Sequence, residues 1–441
     1  MIKKIRLFIY NHPVKSIICY AILIRLAIVL IYQAITIYPD SQNYINLSNY
    51  LSHFSLENYT GERTPGFPLL IAVANNNLII TILFQLMIGV LSTYLIYDFS
   101  RLKTKNITLA FWIAIIYTSF LHVIFFEFAI LTEALSVFLV ILTFWYIQKF
   151  KLLEAKSPIK NYVVLSIIFS WMYLTKPMLI YLPVGFTLFY LIKQLKSISF
   201  LKGFIVLIIP FITYFSWNSL NKKNIGYFTN TYYFGINLSQ TATSFFDKAP
   251  DNDKLIRDIF VKHRDSILKH DPKKYPMSVW FAYDELLKKT KLSPQDLSYK
   301  LGDISKRLIM EYPQLYLKQI FISWIDFWKP TNIYWNPEKI TNPYIKGFIV
   351  WAWLYFMRYL LFIFNIIFLV LGLIHLLFFI RDDLKQLNMD FLIICTILCG
   401  SLLQAMVAYG SNSRFSFPFF ALIVYFVISK LSNVKKIFLL N

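Results

Sequence analysis

Apolar residues in this chain fall into long unbroken blocks separated by short polar or basic connections, unlike the three-to-four spacing of a soluble amphipathic helix. The first block, Ile17 to Ile37, matches the roughly 20 residues a helix needs to cross a hydrocarbon layer. It is too long for a secretory h-region and no Ala-x-Ala-like cleavage site follows it, so it reads as a retained first span. The blocks together predict about ten transmembrane helices, over 16–37, 78–98, 109–127, 131–148, 161–175, 177–192, 203–217, 348–380, 389–409 and 415–430. Several are shorter than a crossing requires, and 347–380 is longer than one. That predicts tilted or re-entrant pieces around a buried cavity, because irregular backbone persists at membrane depth only where protein or water satisfies it.

Two polar segments interrupt the pattern. In the first, 38–77, the spacing of Tyr44, Leu47, Tyr50 and Leu51 predicts an amphipathic helix lying at the interface. Asp40 sits where the first span emerges, and Arg63 precedes the turn-forming Pro65-Gly66. The second segment, 218–346, carries apolar residues at helical spacing with interleaved charges, with Ser293 as a cap and Pro294 in the first turn of one helix. The predicted fold class is all-α: a membrane module over 1–217 containing the 38–77 loop, a helical extracytoplasmic domain over 218–346, and C-terminal transmembrane helices over 347–441.

Composition agrees, with 57% hydrophobic and 15% charged residues. The formal net charge of +21 raises nucleic acid as a partner, but the cations do not form one face. They cluster between apolar blocks, at Lys3, Lys4, Arg6 and Lys15, at Arg101, Lys103 and Lys105, at Lys149, Lys151, Lys156 and Lys160, at Lys193, Lys196 and Lys202, at Arg381 and Lys385, and at Lys430, Lys435 and Lys436. Alternate connections are nearly free of them, the positive-inside signature. The expectation is an integral protein of a cell or inner membrane, partnered by the lipid bilayer and by no nucleic acid, with both termini cytoplasmic and both polar segments on the opposite face. Cys19, Cys395 and Cys399 all fall in predicted spans and frame no disulfide or zinc site. His53, His263 and His270 lack metal-ligand spacing and read as surface residues. Arg25, mid-span, must pair or snorkel, and Arg358 is likewise read as structural. Glu133 lies near a span end, where an acid needs a partner or a cavity, and Glu127 is a candidate for the exposed acid of the two. Trp324, Trp328, Tyr334 and Trp335 read as an interfacial aromatic belt.

The polar motifs, taken in order, resemble those of the GT-C glycosyltransferases, in the branch of the protein O-mannosyltransferases and the lipid A aminoarabinose transferases. The matching residues are Pro39-Asp40-Ser41 with the Tyr44 to Tyr50 helix, then Arg63-Thr64-Pro65-Gly66-Phe67-Pro68-Leu69-Leu70, Leu131-Thr132-Glu133-Ala134-Leu135 and Leu174-Thr175-Lys176-Pro177. Glu311-Tyr312-Pro313, Phe327-Trp328-Lys329-Pro330 and Ser413-Arg414-Phe415-Ser416-Phe417-Pro418 follow. Two positions depart from the family pattern: Ser41 replaces the second of a pair of acids common after the first span, and Lys176 stands where Arg is frequent. The resemblance implies a membrane glycosyltransferase that takes a monosaccharide from a polyprenyl-phosphate carrier to a lipid, glycan or protein acceptor, with inversion. Such chemistry needs a base for the nucleophile's proton and cations for the departing phosphate. Asp40 is the candidate general base; Tyr44, Arg63, Glu133, Lys176 and Arg414 are the candidate substrate-binding residues, the three cations clamping phosphate. No nucleotide-binding Gly loop is present, and none is needed when the leaving group is a lipid phosphate. A divalent metal is left possible, although one acid after the first span offers few oxygen ligands. The alternatives are an O-antigen polymerase or ligase of lipid-linked glycans and a transporter, the latter expecting internal repeats that the sequence does not show.

Overall fold

The structure is a computed structural model of the 441-residue chain and describes residues 11–154, 156–195, 198–330, 333–382, 387–410 and 412–438. The expected cytoplasmic cations Lys3, Lys4, Arg6, Lys196 and Lys385 lie outside the described residues. Among those described, the fold is all-helical, with two isolated bridges and no strand. Seven helical stretches are long and apolar enough to cross a membrane, or eight if one bent pair counts as a span, consistent with a multi-pass membrane protein.

Helix α1 (Pro13–Ile31) begins with proline in its first turn, where a missing N–H is tolerated, and ends at Ile31 rather than at the expected residue 37. The backbone then leaves the helix to pair with another segment: Thr36 donates its N–H to the Phe128 carbonyl (2.8 Å) and accepts from the Ile130 N–H (3.1 Å). Hydropathy alone could not register that exchange. The loop that follows carries α2 (Pro39–Ser52) and the short α3 (Pro68–Val73), then α4 (Leu78–Thr104), capped by the Asn77 side chain on Ile79 and Ile80. The expected single span 109–127 is two helices, α5 (Ile107–Ser119) and α6 (Leu121–Glu127), meeting at 60°. Next come α7 (Glu133–Lys149), α8 (Ile159–Thr175), α9 (Tyr181–Gln194) and α10 (Lys202–Ile225). Helix α10 continues past residue 217, where the sequence placed the domain boundary, and stops at Gly226, whose φ of 82° is the left-handed end that glycine permits.

Four amphipathic helices follow, α11 (Tyr233–Thr241), α12 (Lys254–His270), α13 (Ser278–Thr290) and α14 (Pro294–Glu311). They bury a core of their own, including Ile236, Phe246, Phe260, Ala282, Leu301 and Leu308. Gly235 lets α11 approach α14, since a Cβ there would overlap the Ser298 carbonyl. Ser293 caps α14 as its sequence context predicts, accepting from the Asp296 N–H at 3.1 Å. The chain rejoins the main core through α15 (Pro313–Trp328), α16 (Pro343–Trp351), a π-helical turn over Ala352–Met357 and α17 (Arg358–Asp382), and ends with α18 (Met389–Val407), the short α19 (Asn412–Ser416) and α20 (Phe420–Phe438).

The tryptophans assigned to an aromatic belt instead pack inside. Trp328 and Trp335 are 3% and 5% exposed, and Trp335 stacks on Phe125 with centroids 4.3 Å apart. Trp324 is partly buried and donates to Ser401 Oγ at 2.9 Å, and Tyr334 lies 4.9 Å from Phe126. The segment after α15 lays Tyr334 and Trp335 on α6 and bridges Ile340 to Tyr32, whereas Trp328 packs on Phe368 of α17.

Glu127, read as a candidate for exposure, is 2% exposed and receives Arg25 through two hydrogen bonds of 2.7 and 2.6 Å. Arg25, buried in the middle of α1, thus finds the partner that membrane depth demands, and a Cβ at Gly89 would overlap the pair. Removing one member of a buried pair strands the other's charge, so Glu127→Gln is expected to destabilise the protein by about 3–5 kcal/mol, whereas Arg25→Leu with Glu127→Leu recovers most of that loss. Thermal unfolding in detergent measures both; equal losses would mean the pair is not what holds α1 to α6.

Candidate functional site

The six residues singled out from sequence meet at one end of the bundle. Asp40 is the second residue of α2, a position favourable to an acid because the helix N-terminus carries partial positive charge. Ser41 fixes this turn: its hydroxyl accepts from the Tyr38 N–H at 2.9 Å and donates to the Ile130 carbonyl at 2.8 Å. Ser41 is therefore fully buried and structural. A second carboxylate comes instead from Glu133, the first residue of α7 and fully buried.

Arg63 is delivered by a loop that crosses the end of α8. Gly66 donates to the Leu174 carbonyl at 2.8 Å, and a Cβ at Gly66 would overlap the Leu174 and Thr175 backbone, so the close crossing requires glycine. The Tyr59 hydroxyl accepts from the Arg63 N–H at 2.6 Å and donates to the Arg63 carbonyl, fixing that residue's backbone. Lys176 ends α8 in extended conformation, as the following proline dictates, and Arg414 lies in α19.

Their contacts form one chain of charges. Arg63 Nη2 donates to Asp40 Oδ1 at 2.6 Å, and Arg414 reaches Asp40 Oδ2 from Nη1 and Nη2 at 3.2 and 3.1 Å. Arg414 Nε donates to Glu133 Oε1 at 2.6 Å, and Lys176 Nζ reaches the same oxygen at 3.3 Å. Tyr44 lies under Arg63, with the guanidinium 4.9 Å from its ring centroid. Burial acts to raise the Asp40 pKa, but the guanidiniums of Arg63 and Arg414, by charge and by hydrogen bonding, prevail and hold it below the usual carboxylate range. Two buried polar atoms, Glu133 Oε2 and Arg63 Nε, have no hydrogen-bond partner among the described residues.

The sequence reading missed two residues here. Tyr233, at the start of α11, places its ring centroid 5.0 Å from the Arg63 guanidinium, and the Phe415 ring centroid lies 4.9 Å from Lys176 Nζ. Phe415 stands inside a motif already quoted; nothing local marks Tyr233. The histidines lie elsewhere, His263 bonded to Glu285 at 2.7 Å and His53 and His270 to carbonyls of their own helices at 2.8 Å. Among the described residues no three His, Cys, Asp or Glu side chains group as metal ligands. Both Asp40 oxygens and Glu133 Oε1 already face cations, an arrangement that opposes rather than recruits a divalent ion.

The chain matches no protein-family model and no curated protein. Its site holds three cations and two carboxylates, which leave one net positive charge, beside aromatic rings at the end of an apolar bundle.

Proposed function

We propose that this protein is an integral membrane glycosyltransferase of GT-C type. It transfers a monosaccharide from a polyprenyl-phosphate donor to a hydroxyl or amine of a lipid, glycan or protein on the extracytoplasmic face. The supporting observation is the placement of the Asp40 carboxylate between Arg63 and Arg414, in a cluster whose three cations exceed its two acids by one. A sugar joined to a lipid through a phosphodiester carries a single negative charge at neutral pH, so its phosphate neutralises the cluster. Its chain would lie between apolar helices.

In the reaction the acceptor oxygen or nitrogen attacks the anomeric carbon as the bond from that carbon to the phosphate oxygen breaks. The bonding pair leaves with the lipid phosphate, where Arg63, Arg414 and Lys176 stabilise the growing charge, and the acceptor's proton passes to Asp40. A single displacement of this kind inverts the anomeric centre. Without donor, both Asp40 oxygens are occupied by guanidinium groups. The donor phosphate competes for those groups and frees the base, so the donor binds before the acceptor.

This order has a signed pH consequence. In the free enzyme the Asp40 pKa is lowered, so the acid limb of kcat/KM falls below the ordinary carboxylate value of about 4. Bound phosphate draws off the guanidiniums and adds negative charge, both of which raise that pKa. The acid limb of kcat is therefore expected at higher pH than that of kcat/KM, and the reverse order would remove Asp40 from the base role. The reaction class itself is tested by following labelled sugar from a panel of polyprenyl-phosphate monosaccharides into the acceptor fraction of purified membranes. Transfer from one donor supports it; no transfer from any, with lipid-linked glycan chains altered instead, favours a polymerase or ligase.

A further inference from the structure

An arginine that must meet a phosphate loses affinity if its side chain wanders, since its rotamer entropy is frozen on binding. Arg63 has two aromatic rings against its guanidinium, Tyr44 at 4.9 Å and Tyr233 at 5.0 Å, and that guanidinium donates to Asp40. Tyr44 belongs to the same loop as Arg63. Tyr233 comes from the separate helical unit α11–α14 and is pinned there. Its hydroxyl accepts from Asn43 Nδ2 at 2.9 Å, and its ring packs on Tyr232 at 4.4 Å and against Trp280 at 5.5 Å. The unit also grips the Arg63 loop through its backbone: the Tyr232 N–H donates to the Gly61 carbonyl at 2.9 Å, and Gln295 Nε2 donates to the Thr60 carbonyl at 3.0 Å. Ser298 hydrogen-bonds the Tyr232 carbonyl and the Ile236 N–H, tying this contact to the unit's own core.

We infer that Tyr233 is a positioning residue of the site, one jaw of an aromatic clamp through which the α11–α14 unit aims Arg63 at the donor phosphate. The charge cluster is then incomplete until that unit is docked on the loop. The kinetic side of this inference rests on the glycosyltransferase reading; the geometric side does not.

The test uses the full chain in detergent and three forms, wild type, Tyr233→Leu and Tyr233→Phe. A cation held over a desolvated aromatic face is stabilised enough that losing the ring is expected to raise the donor KM by roughly ten- to thirty-fold, with little change in kcat. Tyr233→Phe, which keeps the jaw and loses only the hydroxyl's bonds to Asn43 and Tyr232, restores the wild-type KM. A merely structural role would instead lower the active fraction and leave KM in place. Independently of activity, phenylglyoxal labelling of Arg63 is followed by peptide mass spectrometry with Arg307 as internal reference. Faster labelling of Arg63 in Tyr233→Leu but not in Tyr233→Phe supports the clamp, and equal rates in all three forms overturn it. Should wild type transfer sugar from no donor, the glycosyltransferase reading falls, and the labelling result alone decides the clamp.

Discussion

Asp40→Asn is expected to lower kcat for sugar transfer by about 10²- to 10⁴-fold, the usual contribution of a positioned general base. The substitution keeps the shape of the side chain but removes its negative charge, so the cluster around it changes from one net positive charge to two. Donor phosphate should then bind as well as in wild type or better, and KM for the donor should hold or fall. That sign separates a chemical defect from a folding defect, which would reduce the amount of active protein without improving donor affinity. The measurement is labelled-sugar transfer in purified membranes normalised to protein content, and full transfer by the variant would falsify the base assignment.

The second large effect is expected at Arg414, the only residue of the cluster that touches both carboxylates. Arg414→Gln leaves Glu133, fully buried with Oε2 already unpartnered, facing only Lys176 at 3.3 Å. Stranding a buried charge in this way costs about 3–5 kcal/mol, and the phosphate loses one of its three cations. Adding Glu133→Gln and Lys176→Met removes the stranded carboxylate together with the buried ammonium that pairs with it, so the triple variant should regain most of the thermal stability in detergent while transfer stays lost. Recovery of transfer along with stability would show that Arg414 serves folding and not the donor.

These two residues also mark what can be read from sequence. Grouping was legible: alternating basic connections put Asp40, Arg63, Glu133, Lys176 and Arg414 at or near one end of their spans, and the structure gathers all five into one cluster. Contact was not legible, because the ion pairs join residues from 23 positions apart, for Asp40 and Arg63, up to 374, for Asp40 and Arg414. The same holds for Glu127, whose burial follows from an arginine 102 residues away rather than from its neighbours. Helix existence came through wherever apolar runs were long. Helix ends did not: residues 33–37 are as apolar as a span requires yet pair with 128–130, and the bend between Ser119 and Leu121 has no proline or glycine to announce it. Tyr233 is the extreme case, an ordinary tyrosine at the start of a helix whose role depends on a loop folded beneath it.

Complete burial of Glu133 bears on how the chain is made. Its cations follow late, Lys176 by 43 residues and Arg414 by 281. At ribosomal speeds of about 5–20 residues per second, Arg414 emerges roughly 14–56 s after Glu133. Throughout that interval α7 holds an acid without its principal counter-ion, which arrives only with the short α19, just before the last helix. A nascent chain stopped before Arg414 would therefore carry a buried carboxylate faced by Lys176 and not by a guanidinium.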